Sequence, residues 1–466
     1  MNDSKLPSSF RDPDGFLFSH KGVIYRQVND SYKKHYDELM ESGLYDSLLE
    51  KGWLVPHKEV SHPDHQKGNE HCYKILYPEQ IPYISYPYEW CFSQLKDAAI
   101  LTLSIQQEAL RYGMTLKDAT AYNVQLHKGK PVFIDTLSFE SYQEGEPWVA
   151  YRQFCQHFLA PLALIVQCDF RLLYLLRAYL DGIPIDLASQ LLPVKSWFRY
   201  SLLAHIHLHA KTQKQFEDSG RNKESGRKIS MNKLRVEGVI SSLQSAVQSL
   251  NWKHADTEWG NYYTDTNYAD GSMDHKSKLV SRMLDVCERS DSPIAADFGA
   301  NTGKFSRLAM DAGYYVLSHD IDEVAVDKNY RKMISENEES ILPLILDLTN
   351  PSPGLGWASA ERASFIDREK VDVGMALALI HHIAISNNVP LESIANLFSN
   401  ICLYLIIEFI PKSDSQVERL LSTRQDIFPD YNQVGFETAF NRFFNIIEKT
   451  PIDDSERTLY LMRIKH

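Results

Sequence analysis

The chain has 466 residues, a formal net charge of −12, 44% hydrophobic and 24% charged residues, and six dispersed cysteines at 72, 91, 155, 168, 287 and 402. Such a length predicts two domains, and the acidic balance argues against bulk affinity for nucleic acid or an anionic membrane while leaving room for a local basic patch. No Cys-x-x-Cys pair, signal-peptide core or apolar run of the roughly 20 residues that cross a bilayer is present, so neither a disulfide framework nor a cysteine zinc site is expected, and a soluble, cytoplasmic chain without membrane partners is.

Residues 16–28 alternate as two β-rich runs that turn at Lys21-Gly22, the pattern of a hairpin. A helix is expected over 32–50, followed by strand-like stretches at 53–60 and 72–77. The Pro- and Tyr-rich segment 83–90 reads as a connection, and 92–112 carries helical apolar spacing that ends near Gly113. Together these describe an α+β domain over 1–210.

After that helix comes Leu116-Lys117-Asp118-Ala119-Thr120-Ala121-Tyr122-Asn123, then a short hairpin closing on Phe133-Ile134-Asp135. An Asp, an Asn five residues on, and a second Asp at a strand end resemble the catalytic loop of kinase-like folds, especially the aminoglycoside-phosphotransferase type. The resemblance covers about 15–205 and includes helices at 148–163 and 170–180. It implies that Asp118 faces a hydroxyl, that Asn123 and Asp135 hold magnesium, and that ATP is bound. Against it stand the missing histidine before Asp118, the missing glycine-rich loop, and Arg26 in place of a phosphate-binding lysine, whose geometry differs. The competing reading makes Asp118, Asn123 and Asp135 ordinary turn and cap residues.

From 211 to 250 a hydrophilic, basic linker precedes a connecting helix over 231–250. The aromatic-polar stretch 252–274 suits either a lid or packing, and 277–287 is amphipathic. Beyond Ile294, strand and helix signals alternate: strands at 294–298, 314–319, 341–346, 371–379 and 401–408, with helices at 303–312, 322–334 and 391–399. Such alternation predicts a parallel sheet covered by helices, with ligands beyond the strands' carboxyl ends.

The central signal is Ile294-Ala-Ala-Asp297-Phe-Gly299-Ala-Asn301-Thr-Gly303-Lys-Phe305, a strand, a glycine turn and a helix start whose amides are expected to face a ligand. An acid about twenty residues on, Asp320, can accept both hydroxyls of a ribose. The turn lacks the third glycine of a dinucleotide site, and Asp297 would repel a pyrophosphate but suits an ammonium group. An amino-acid end, a ribose and an adenine describe S-adenosylmethionine.

At these residues the chain resembles the class I S-adenosylmethionine-dependent methyltransferases over about 255–466, a domain set at 251–466. The resemblance implies a Rossmann-like seven-stranded sheet with an antiparallel last strand, its final pair drawn from 444–447 and 458–464. It makes Asp297, Gly299, Asn301 and Gly303 the first motif, Asp320 the ribose acid and Asp347 the adenine-side acid. A further likeness, to nodulation-protein-type methyltransferases, rests on Ile380-His-His-Ile, Asn387-Asn-Val-Pro-Leu391 and Ile406-Ile-Glu-Phe-Ile-Pro-Lys412.

The fourth strand should face the methyl acceptor, and in place of an Asn-Pro-Pro-Tyr motif it ends in Leu379-Ile380-His381-His382. A histidine near neutral pKa can take the proton of an attacking hydroxyl. The expectation is therefore O-methylation of a small-molecule or glycan acceptor with His382 or His381 as base. Asn387, Asn388 and Glu408 rank second, and the histidines as mere lining or packing residues are the alternative. Oligomeric state has no signature in the sequence.

Overall fold

The computed structural model describes residues 4–61, 71–211, 231–253, 270–368, 370–422 and 424–465. The chain divides into two compact units, Met1–Lys253 with Leu355–Arg362, and His254–Gly354 with Ala363–His466. Most of the expected linker, 212–230, and most of the aromatic stretch, 254–269, lie outside the described residues.

In the first unit a five-stranded antiparallel sheet runs in the spatial order Ser4–Lys5, Gly15–His20, Val23–Asn29, Cys72–Pro78, His57–Val60. The predicted hairpin turns where Lys21 (φ 51°) and Gly22 (φ 82°) both take left-handed backbone, the conformation a two-residue hairpin needs. The helix expected over 32–50 is two, Lys33–Glu41 and Leu44–Glu50, because Gly43 sits between them at φ 86°. Helix Phe92–Arg111 is buried along most of its length and receives Lys233–Ser249 against it. Lys96 Nζ donates to the carbonyls of Gln248 at 3.1 Å and Leu250 at 2.7 Å. The helix expected to connect domains is thus part of the first unit.

One surprise of this unit is Leu355–Arg362, which the chain contributes from between two strands of the other unit. Glu361 anchors it: the carboxylate accepts from Arg11 Nε at 2.8 Å and Nη2 at 3.0 Å, and from the amide of Trp357 at 3.1 Å.

The second unit holds a seven-stranded sheet in the order Ile341–Ile345, Tyr315–Asp320, Ile294–Phe298, Val371–Ala376, Cys402–Phe409, Thr458–Ile464, Phe444–Pro451. The first five are mutually parallel; Thr458–Ile464 pairs antiparallel with both of its neighbours. Val371–Ala376, inside the sheet, and Ile341–Ile345, at its edge, are buried at every position, which is why both read as near-continuous apolar runs. Strand order reverses at Ile294–Phe298, flanked by the second strand on one side and the fourth on the other. That switch point is where an open α/β sheet leaves a crevice.

The fourth strand stops at Ala376 rather than continuing to 379. Ala378 turns to φ 53° and its amide donates to Glu408 Oε2 at 2.7 Å, lifting the chain out of the ladder. Among the described residues no helix is long and apolar enough to cross a membrane.

Candidate active site

The glycine turn is built by its own backbone. The amides of Gly299 and Ala300 both donate to the carbonyl of His319 at 2.9 Å, and that of Gly303 donates to Ala300 at 2.9 Å. The amide of Asn301 reaches Asp320 Oδ2 at 2.7 Å, and that of Thr302 the side chain of Asn301 at 2.8 Å. All five amides of the turn, 299–303, are therefore satisfied internally, and the amides expected to face a ligand are those of the helix start that follows, 304–306. A turn with its donors consumed does not itself cradle a phosphate.

Glycine is required twice. Gly299 (φ 77°) and Gly303 (φ 78°) hold left-handed backbone, and a Cβ at Gly303 would lie 2.5 Å from Asn329 Oδ1 and 2.7 Å from Arg307. Gly303 thus serves close packing of the turn on helix Glu323–Glu336, while a Cβ at Gly299 would meet Leu379, across the crevice, at 3.3 Å.

The crevice is a cavity of about 290 Å³ at the strands' carboxyl ends. It is lined by Asp297, Gly299, Asn301, Asp320, Asp347 and His382 among the sequence-predicted residues, and by Lys276, Phe305 and Leu379 among others. The structure thus gathers residues from four strand ends. Gly303 stands behind the turn rather than on the cavity wall.

Asp297 is nearly fully buried, and its Oδ2 accepts from Ser306 Oγ at 2.7 Å. Asp320 is held by the amide of Asn301 and, on its other oxygen, by the amide of Asp322 at 2.8 Å. Burial raises the pKa of Asp297 to about 6, with the Asp320 charge adding to it while Ser306 and Lys276 oppose. Burial likewise raises Asp320 to about 6 against the backbone hydrogen bonds from Asp322, Asn301 and Ile321. Asp347 turns one oxygen to the amide and hydroxyl of Thr349, at 2.8 and 2.6 Å, and so shapes the loop after the third strand.

The two adjacent histidines have different surroundings. His382 lines the cavity, whereas His381 does not: it is buried, its Nδ1 has no hydrogen-bond partner among the described residues, and its pKa lies well below the ordinary value because of burial and nearby His382, Arg457 and Lys276. The second-rank candidates also separate. Asn387 reaches the cavity, Asn388 accepts from Arg424 Nη2 at 2.8 Å, and Glu408 is sealed beneath it.

What seals Glu408 is Lys276, which sequence reasoning missed. Lys276 Nζ donates to Glu408 Oε2 at 2.7 Å, with both side chains almost wholly buried, and Arg457 approaches Glu408 Oε1 at 3.6 Å before pairing with Asp414 at 2.7 Å. Burial lowers the Lys276 pKa against the pull of Glu408. A signal existed: positions 273, 276, 280, 283 and 284 share one helical face, and a lysine in that otherwise apolar stripe demands a buried partner.

In the first unit, Asp118, Asn123 and Asp135 come close together but are committed to one another's loops. Asp118 Oδ1 accepts from the amide of Thr120 at 2.9 Å, and Asn123 Nδ2 donates to Ser138 Oγ at 3.1 Å. Ser138 Oγ in turn donates to Asp135. Arg26 pairs with Asp135 Oδ1 at 2.7 Å and with Asp12 at 3.1 Å. A guanidinium thus takes the place on Asp135 that a magnesium ion needs, so these residues do not fit the metal. Among the described residues no group of three or more His, Cys, Asp or Glu could hold one.

No family model matches the chain. Among solved structures it is similar to the N-methyltransferase NodS from Bradyrhizobium japonicum WM9 in complex with S-adenosyl-L-homocysteine (10% identity, 44% of this chain, 93% of that one, TM-score 0.32). It is similar to magnesium protoporphyrin IX methyltransferase from Synechocystis PCC 6803 (16% identity, 44% and 91%, TM-score 0.30). A third is the bifunctional kinase-methyltransferase WbdD, of which it spans little more than a third (12% identity, 42% and 38%, TM-score 0.27). Along nearly its whole length, the chain is 33% identical over 461 residues to the nodulation protein NoeA of Rhizobium meliloti strain 1021, covering 98% of this chain and 95% of that protein. With that extent of shared sequence, the chain belongs to the NoeA family of nodulation proteins.

Proposed function

We propose that the chain is an S-adenosylmethionine-dependent methyltransferase acting on a hydroxyl of a small-molecule or glycan-type acceptor. The observation that carries the reading is one cavity at the sheet's switch point, with buried acids on the first and second strands and His382 beyond the fourth. The donor set fits the cofactor: Asp297 for an ammonium group, Asp320 for ribose hydroxyls, and the loop at Asp347 for the adenine. The glycine turn has spent its own amides, and the Asp297 carboxylate would repel a competing pyrophosphate.

When bound, S-adenosylmethionine supplies a methyl group on a sulfonium already activated for displacement. The protein's tasks are then to position, to exclude water and to hold one proton. Phe298, Phe305, Leu379 and Ile383 give the cavity apolar walls that exclude water. Positioning supplies most of the acceleration in such a displacement. His382 takes the acceptor's proton on a ring nitrogen, while His381 behind it keeps to the neutral form and supports the π-helical turn His382–Ser386.

A kinase activity in residues 1–210 is no part of this reading, because Arg26 occupies Asp135. The test is incubation with methyl-labelled cofactor and fractionated lysate. Label transferred to a base-stable, hydroxyl-bearing acceptor by wild type supports the reading; label on an amine, or on nothing while the cofactor binds, overturns it. Replacement of His382 by Ala should lower turnover roughly 10² to 10⁴ fold if it is the base.

A further inference from the structure

In a chain with 61 acidic residues, positions 187–216 contain neither Asp nor Glu but include Lys195, Arg199, Lys211 and Lys214. At the centre of this stretch, in the first unit, the turn Val194–Phe198 follows Pro193. Its inward side is fixed. Ser196 is fully buried, its hydroxyl 2.6 Å from the Pro193 carbonyl and 2.8 Å from His207 Nε2, while His207 Nδ1 lies 2.8 Å from Ser189 Oγ. Trp197 stacks flat on the same imidazole, ring centroids 4.2 Å apart at 12°, with Lys211 Nζ 4.8 Å from the indole.

A turn pinned this way has no freedom to fold its remaining side chains inward. Val194, Phe198 and Tyr200 are left 76%, 87% and 80% exposed, interleaved with the exposed Lys195 and Arg199. Apolar side chains this bare on a rigid, hydrogen-bonded support are costly in water and mark an interaction surface. Their chemistry selects the partner. Phenylalanine and valine suit the acyl boundary of a bilayer, tyrosine and tryptophan the headgroup level, and lysine and arginine the lipid phosphates. Over positions 187 to 216 the segment itself adds no negative charge to this surface, in a chain whose net charge is −12.

We infer that the turn Val194–Phe198 with Tyr200 is a docking surface for an anionic lipid bilayer, on which the chain sits peripherally. The face is small, so binding is reversible, grows with the anionic lipid fraction and weakens with salt.

The test is co-flotation of the full chain with phosphatidylcholine vesicles and with vesicles made from equal parts phosphatidylcholine and phosphatidylglycerol. Wild type should float with the mixed vesicles, less so as salt rises, and remain behind with pure phosphatidylcholine. The triple variant Val194→Ser, Phe198→Ser, Tyr200→Ser should lose about tenfold or more of that partition. Its melting temperature and its binding of S-adenosylhomocysteine should stay at the wild-type values, because these side chains are largely exposed and none lines the cavity. Wild type that ignores the mixed vesicles, or a triple variant that floats like wild type, overturns the assignment. So does a concentration-dependent dimer of wild type in sedimentation velocity that the triple variant abolishes, which gives the surface to a second copy of the chain.

Discussion

Asp297 and Asp320 carry the site's electrostatics, and their burial has a sign that can be worked through. Both have folded-state pKa values near 6, above the ordinary carboxylate value of 3.8. Between those values the native chain holds protons that the unfolded chain has released. Stability of the ligand-free protein therefore falls as pH rises through that window and levels off above about 6. Ligand binding runs the other way: ribose hydroxyls and an ammonium group need ionised carboxylates, so affinity for S-adenosylhomocysteine should rise between pH 5 and 7 and then plateau. Titration calorimetry across that range checks it; a flat profile contradicts the roles given to both acids. The histidines make a second residue-scale contrast. His382→Ala should lower turnover with little change in melting temperature, whereas His381→Ala should lower stability by about 1–3 kcal/mol through lost packing. Thermal denaturation beside a methyl-transfer assay separates the two.

At the scale of elements, the helix Asp270–Val286 sets the floor of the cavity through Lys276. Lys276→Met should destabilise the chain by roughly 3 kcal/mol, because it removes the buried ammonium that donates to Glu408 and leaves that carboxylate buried without it. Adding Glu408→Gln should recover part of that loss, and a double-mutant cycle in chemical denaturation measures the coupling. The sequence was legible where one rule acted alone. Apolar runs alternating with helical spacing placed the sheet's strands to within a few residues, and the glycine turn with Asp320 located the cavity. It was illegible where two rules competed. The end of the fourth strand moved because Ala378 takes a left-handed conformation that no propensity favours. Helix 32–50 broke at a glycine that helical spacing had passed over, and short helices such as Ser415–Leu421 carry too few turns to show a period. The turn's amides could not be counted as used before the His319 carbonyl was known to sit beneath them.

For the molecule as a whole, the two units present different chemistry. The second has a cavity walled by acids and apolar side chains. The first pairs several of its acids with cations: Asp135 and Asp12 with Arg26, Glu361 with Arg11, and Asp14 with Lys117. Its most distinctive free surface is the acid-free stretch around Phe198. With methyl transfer assigned to the second unit and membrane attachment to the first, each feature has one use. Everything rests on binding of the methyl donor in the switch-point cavity, and titration calorimetry of the full chain with S-adenosylhomocysteine tests that most directly. One site per chain is expected, with Asp320→Ala weakening it about 10- to 100-fold through loss of charge-assisted hydrogen bonds. No heat with wild type at millimolar ligand, or an Asp320→Ala variant that binds as wild type does, would contradict it.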